Sequence, residues 1–161
     1  MHDDPGTYLR SEVMAATGAT RGQIAGLLDY CISQQGHSPG ALHRWPRDEI
    51  VLASVALKLA RLGLLLSTVK AAVDALRSIR ETGALGVVML TFDAAGRFAS
   101  VARLDGVALM AEPAESAEGP AGVQLLLDVG AVSRTIDAKL QAHRADHGVA
   151  QRGPRAYRKA A

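Results

Sequence analysis

The sequence predicts an α+β fold, helical in its first half and mixed in its second. Three observations predict it. Apolar residues recur at helical spacing from Ser11 to Leu76, interrupted at Gly18, at a Gly/Pro/His-rich stretch ending at His43, and at Gly63. Beyond Glu81-Thr82-Gly83 the pattern changes to short apolar runs, Leu85 to Phe92 and Arg97 to Leu104, joined by the turn sequence Asp93-Ala94-Ala95-Gly96. A final stripe of Val132, Ile136 and Leu140 recurs every four residues and precedes a basic tail. The expected organisation is a helical unit over residues 7–80, a small α+β module over 84–142 and a flexible basic tail over 143–161.

Taken in order, Ser11 is expected to cap a helix running to about Thr17, with Val13, Met14 and Thr17 on one side, and Gly18 stops it. Thr20 caps a second helix from Arg21 to about Tyr30, with Ile24, Leu27 and Leu28 facing inward. Gly26 lowers the intrinsic helix propensity of this segment by about 1 kcal/mol relative to alanine, so the segment depends on packing. From Cys31 to His43 helical periodicity disappears, and Gly36, His37, Pro39 and Gly40 suit a β-wing. Pro46 opens a third helix with Asp48 and Glu49 in its first turn, where the helix dipole favours acids. That helix runs to about Leu62 and carries Ile50, Val51, Ser54, Val55, Lys58 and Leu59 around a broad apolar face. Gly63 ends it, and a fourth helix from Ser67 contains Val69, Val73 and Leu76. Two short helices across a glycine turn, a wing-like loop and two further helices make a winged helix-turn-helix unit. In the second half, the two apolar runs form a hairpin and Val107 to Met110 is a third apolar piece. Ala111 to Gly122 is a mobile loop, Val123 to Val129 a strand, and Ser133 opens or continues a helix.

Composition limits the function classes. With 161 residues and 48% hydrophobic content, the chain has material for one good core or two small ones, so it is not a disordered protein. Aromatics are 4%, so Leu, Val, Ala and Ile must build that core and the single Trp45 becomes a landmark. One cysteine excludes a disulfide framework or a multi-cysteine metal cage and fits a reducing compartment. The opening Met1-His2-Asp3-Asp4-Pro5 lacks a basic-then-apolar leader, and the apolar-rich stretch Ile50 to Val69 carries Lys58 and Arg61, so no membrane span is expected and the location is read as cytoplasmic. Lys and Arg outnumber Asp and Glu nine to seven through residue 80 and five to one from residue 143, but fall behind four to eight between. Basic ends around an acidic middle point to nucleic-acid contact at the ends, or to unevenly spread surface charge without a role.

The outward side of the second helix is expected to carry Arg21 and Gln23, with Asp29 further along it. Gln can form paired hydrogen bonds with adenine in the major groove, and Arg can hold phosphate or guanine. Arg44 and Arg47 flank Trp45 where the wing returns to the body. Trp45 either plugs the core behind the wing or joins its neighbouring arginines at the sugar-phosphate backbone.

Gly18-Ala19-Thr20 after one helix, Arg44-Trp45 ahead of Asp48-Glu49-Ile50, and Leu62-Gly63 followed by Leu66-Ser67-Thr68-Val69-Lys70 together resemble the MerR-type winged-helix domain, over about the first half of the chain. The resemblance implies that the turn and second helix enter the major groove, with Thr20, Arg21 and Gln23 at the start of the recognition helix. It also implies that Arg44 and Trp45 hold the wing position. Two departures accompany it. Ala25, Gly26 and Leu27 stand where that family usually places an arginine and aromatic residues, which limits base readout, and no long coiled-coil helix follows the fourth helix, so a dimer would be made differently.

For catalysis, Cys31, His37 and His43 lie close together in sequence, and a thiolate with two imidazoles can bind zinc or pair a nucleophile with a base. Their spacing matches no recognised metal motif, no phosphate-binding glycine loop is present, and the acidic residues stand singly. The expectation is therefore no enzyme, no metal and no cofactor. The expected partners are double-stranded DNA, a second copy of the chain, and a small-molecule or protein effector at the second module. The sequence reading is a transcriptional regulator whose phosphate anchors are Arg21, Arg44 and Arg47, with base readout by Thr20 and Gln23. Two alternatives stand beside it: a protein-interaction module on the same scaffold, and an architectural DNA-binding factor of the kind used by phage or mobile elements.

Overall fold

The computed structural model describes residues 7–32, 44–81, 83, 85–104 and 122–146. The fold is α+β, with helices and two small antiparallel sheets. It opens with strand β1 (Thr7–Tyr8) and helix α1 (Arg10–Thr17). The helix starts one residue ahead of the expected Ser11 cap, because the Glu12 carboxylate accepts the Leu9 N–H at 2.7 Å and satisfies a donor there. Gly18, at φ 70°, ends α1 and donates its N–H to the Met14 carbonyl, a left-handed closure that glycine adopts at no steric cost.

After the three-residue turn comes a helical stretch in three pieces: α2 (Arg21–Gln23), a π turn (Ile24–Leu28) and α3 (Asp29–Ile32). Gly26 lies inside the π turn, so the irregular winding falls where helix propensity is lowest. Ile24 is fully buried and Leu27 half-buried. Of the expected wing, Cys31 to His43, the first two residues are instead the end of α3, and residues 33–43 lie outside the described residues, as do the apolar piece 107–110 and most of the loop 111–122. Beyond it, β2 (Trp45–Pro46) pairs antiparallel with β1, Tyr8 opposite Trp45.

Helix α4 (Arg47–Arg61) is the centre of the molecule. Ile50, Val51, Leu52, Ala53, Val55, Ala56, Leu57 and Leu59 are all buried, which leaves Lys58 and Arg61 exposed and Arg47, Asp48, Glu49, Ser54 and Ala60 half-buried. A helix buried around most of its circumference has to be enclosed by other elements. It is packed against α1, α3, α5 (Leu66–Glu81) and α6 (Val129–Asp146).

The second half forms a three-stranded sheet in the order β4-β3-β5, from β3 (Val87–Phe92), β4 (Phe98–Leu104) and β5 (Val123–Asp128). The expected hairpin is β3–β4. Its turn is held by Asp93, whose Oδ1 accepts the N–H groups of Ala95 and Arg97, each at 2.9 Å, while Gly96 takes φ 73°. Alternation along β3 buries Val88, Leu90 and Phe92. Helix α6 follows β5 without a loop and begins four residues before Ser133, because Asp128 caps it: its Oδ1 accepts the Ala131 N–H at 2.7 Å. The helix also continues past the expected start of a flexible tail at 143, to Asp146, and Arg144 explains why. Its Nε donates to Glu12 Oε1 at 2.8 Å and its guanidinium lies 4.4 Å from the centre of the Tyr8 ring, so the last turn is anchored on α1 and β1.

The residues on either side of the expected boundary share a single hydrophobic cluster. Val13, Trp45, Leu59 and Leu76 belong to it together with Val88, Leu90, Val132, Ile136 and Leu140. A line of alternating charge reinforces this junction. Arg47 forks onto Asp137, with Nε to Oδ1 at 2.7 Å and Nη2 to Oδ2, its Nη1 reaches Asp48 at 3.3 Å, and Asp48 pairs with Arg80. Among the described residues, no helix is long and apolar enough to cross a membrane.

The Arg47 hydrogen bond, followed by its charge, holds the Asp137 carboxyl below its ordinary value of 3.8. A carboxyl lowered by folding stabilises the native state above its unfolded pKa and loses that contribution as pH falls through the folded value. Both side chains are 37% exposed, so solvent screening keeps the contribution small. Asp137→Asn is expected to cost about 1 kcal/mol at pH 7. In urea unfolding, the gap to the parent should be full above about pH 4 and close as the pH falls below it. A gap that persists unchanged to pH 2 would count against this pair.

Candidate nucleic-acid interface

The surface that the sequence nominates begins at the turn between α1 and α2. Thr20 has extended backbone, φ −76° and ψ 162°, and stands at the head of α2 as its cap. The Gln23 N–H donates to Thr20 Oγ1 at 3.3 Å, and the Thr20 N–H donates to Gln23 Oε1 at 2.9 Å. This reciprocal capping box satisfies two backbone donors that the first helical turn would otherwise leave open. It also occupies the acceptor that Gln23 would need to read adenine with both ends of its amide. Paired recognition by Gln23 therefore requires the box to open first.

Arg21 is exposed at the first position of α2. Among the side chains described, the rest of the outward face is made of Gly22, Ala25, Gly26 and Tyr30, all exposed, and a Cβ built at Gly22 or Gly26 would meet nothing within 4 Å. The face is consequently flat for two turns, with one cation at its start and one aromatic ring at its end. Tyr30 is 49% exposed.

The three residues nominated at the wing have different environments. Arg44 is half-buried beside β2. Trp45 is 1% exposed and inside the hydrophobic cluster, so its ring plugs the core. Arg47 turns away from the α2 surface towards α6, where its Nη2 also reaches Ser133 Oγ at 2.5 Å. The Asp137 hydrogen bond raises the Arg47 pKa above its ordinary value. Burial and the Arg47 charge lower that of Arg80 despite its contact with Asp48, and both guanidiniums stay charged at neutral pH. Thr20, Arg21 and Gln23 are thus brought together, Arg44 and Trp45 sit at the end of the β1–β2 ladder, and Arg47 serves the interior of the fold.

Cys31 is fully buried at the end of α3, and burial pushes its thiol up to about 11, with Lys70 opposing and Asp74 adding to the shift. It is a protonated thiol at neutral pH and a poor nucleophile. His37 and His43, considered with it as metal ligands, lie outside the described residues. Among the described residues there is no group of three His, Cys, Asp or Glu side chains able to hold a metal ion.

Sequence reasoning missed a second group of cations. Lys58 and Arg61 of α4 and Lys139 of α6 line one cleft, although α4 and α6 are far apart in the chain. The helical spacing of Ser54, Lys58 and Arg61 was a readable signal for one wall, whereas only tertiary packing supplies the other. Comparison with known proteins finds no family model that matches the chain and no similar curated protein.

The cap and the flat face make separate stability predictions. Thr20→Ala is expected to lose about 1 kcal/mol, because it opens the box and frees Gln23. Gly26→Ala should gain about 0.5 to 1 kcal/mol, since the site has open space and no left-handed backbone. Urea midpoints at constant slope check both, and a Thr20→Ala protein as stable as the parent would mean that the box contributes nothing.

Proposed function

We propose that this chain is a duplex-DNA-binding transcriptional regulator whose helical half acts as a winged helix-turn-helix of the MerR type. The observation that carries the reading is the second helical stretch itself. It follows a glycine-closed turn, starts with a closed capping box, and holds Ile24 in the core while Arg21, Gly22, Ala25, Gly26 and Tyr30 face outward. The β1–β2 ladder supports the same reading, because it fixes Trp45, the residue directly after Arg44, at the end of the segment read as the wing.

In this reading affinity comes mainly from phosphate contact by Arg21 and Arg44, and sequence readout is limited. Arg47 is left out of the phosphate set because its fork is committed to Asp137. Thr20 and Gln23 contribute base contacts only at the expense of the capping box. The regulator acts as a dimer assembled through its second half, where an effector or partner adjusts the spacing of two DNA heads. One observation favours a different class: the flat run of Gly22, Ala25 and Gly26 offers little to a base edge and suits a protein surface, as an interaction module would use it.

Fluorescence anisotropy with pooled genomic duplexes at two salt concentrations separates these readings. Arg21→Ala and Arg44→Ala are each expected to weaken binding on all sequences and to reduce the salt slope by about 1. Gln23→Ala should mainly alter sequence preference. Retention of a few related fragments supports a regulator, and retention without enrichment supports an architectural factor. If neither arginine substitution changes affinity at any salt concentration, the DNA surface is misassigned.

A further inference from the structure

The three-stranded sheet has two edges, and only one of them carries a charge against pairing. On β4, Arg103 stands opposite Val88, on the buried face of the sheet, and its guanidinium lies against Gly83, 3.1 Å from where a Cβ would stand. An inward-facing charge is one of the devices that keep a sheet edge from joining another chain. β5 has no such charge. From Val123 to Leu127 it is uncharged, and Asp128 at its end is turned to α6, where its Oδ1 accepts the Ala131 N–H at 2.7 Å. Among the described residues, no strand lies beyond β5.

The register shows what this edge offers. The Val129 N–H donates to the Gly86 carbonyl at 3.0 Å, which continues the β3–β5 pairing by one residue. Because bonded and non-bonded pairs alternate in an antiparallel ladder, Leu125 and Leu127 exchange backbone bonds with β3. The N–H and C=O groups of Gln124 and Leu126 therefore point away from β3, along the outer edge. The side chains alternate as well. Leu125 and Leu127 pack on the core opposite Leu90 and Val88, while Leu126 stands on the outer face beside Met89 and is 57% exposed. A row of outward backbone groups with an exposed leucine at its centre is complementary to another extended strand.

We propose that β5 pairs antiparallel with β5 of a second copy, about a two-fold axis at Leu126, joining the two three-stranded sheets into one of six strands. The strand is complementary to itself in this register, which favours a second copy over a foreign strand. A two-fold axis perpendicular to the sheet keeps each side chain on its own face, so even-numbered residues meet even-numbered ones. Leu126 then bonds to its counterpart through its outward N–H and C=O, and Leu125 stands opposite the partner's Leu127. Gln124 stands opposite the partner's Asp128, where its amide donates to the carboxylate oxygen that does not cap α6. An axis at Leu125 would instead set Gln124 against the partner's Leu126. The outer face gains a continuous apolar strip, Met89 and Leu126 from each copy. The proposal rests on the dimeric part of the regulator reading and gives that dimer its surface.

Light scattering after size exclusion, on the full chain over a range of concentrations, is the test. The parent is expected to be a dimer. Leu126→Lys sets two ammonium groups opposite each other and Leu126→Glu two carboxylates, so each should weaken the dimer at least about tenfold. An equal mixture of the two variants should restore it, since ammonium then faces carboxylate. Leu126 is exposed, so both variants keep the fold, and circular dichroism confirms that. Leu65→Lys, at an exposed leucine between α4 and α5, should leave the dimer intact. The proposal is overturned by a monomeric parent, which would leave the edge to a strand of another protein, or by a dimer that survives both Leu126 substitutions. It is overturned equally by a mixture that stays monomeric or by dissociation of Leu65→Lys. Duplex anisotropy on the same proteins keeps the two readings apart. A dimer that passes the mixing test without duplex affinity retains the interface and overturns the DNA reading, whereas duplex affinity in a chain that fails the mixing test overturns the interface alone.

Discussion

Four alternating charges, Asp137, Arg47, Asp48 and Arg80, cross from α6 over the start of α4 to the end of α5, and this line orients the two halves on their shared core. Each charge meets the opposite sign on at least one side, so none bears its partial burial alone. The energetic contribution is modest, because the side chains remain about one-third exposed. Its geometric effect is larger. A guanidinium forked onto one carboxylate and one hydroxyl permits few orientations of α6 relative to α4, whereas the apolar contacts beneath it are less directional.

That constraint reaches the other end of α6. With its first half fixed on α4, the apolar stripe of Val129, Val132, Ile136 and Leu140 is buried, and Arg144 reaches Glu12 and Tyr8. The helix begins at the sheet edge and ends on the first elements of the chain. Because interiors are densely packed, movement of α6 would repack α1 and α4 together. The same packing commits the Arg47 fork to Asp137 and Ser133, so one candidate anchor is used to build the protein.

The α1–α2 turn shows a comparable competition between structure and recognition. Thr20 and Gln23 are suited both to capping a helix and to contacting a base, and the short helical piece that they open includes a glycine and leads into a π turn. Where intrinsic helix propensity is low, the first-turn hydrogen bonds matter more. The side chains that look most suited to reading DNA are thus engaged in keeping the helix wound.

Much of the fold was legible in the sequence by itself. Helical periodicity located α1, α4 and α5, glycine chemistry located the turns at Gly18, Gly63 and Gly96, and two short apolar runs joined by a turn sequence located the β3–β4 hairpin, because these features depend on residues close together in the chain. The cap at Thr20 and the buried stripe of α6 were readable for the same reason. Only the tertiary structure decided that Arg47 faces Asp137, that Trp45 is buried, that α6 continues to Asp146, and that Lys58, Arg61 and Lys139 share a cleft. A charged side chain near a helix end has the same local pattern whether it meets solvent, a phosphate or a distant carboxylate. Its partner is set by how two helices cross, and that crossing is set by a core assembled from both halves of the chain.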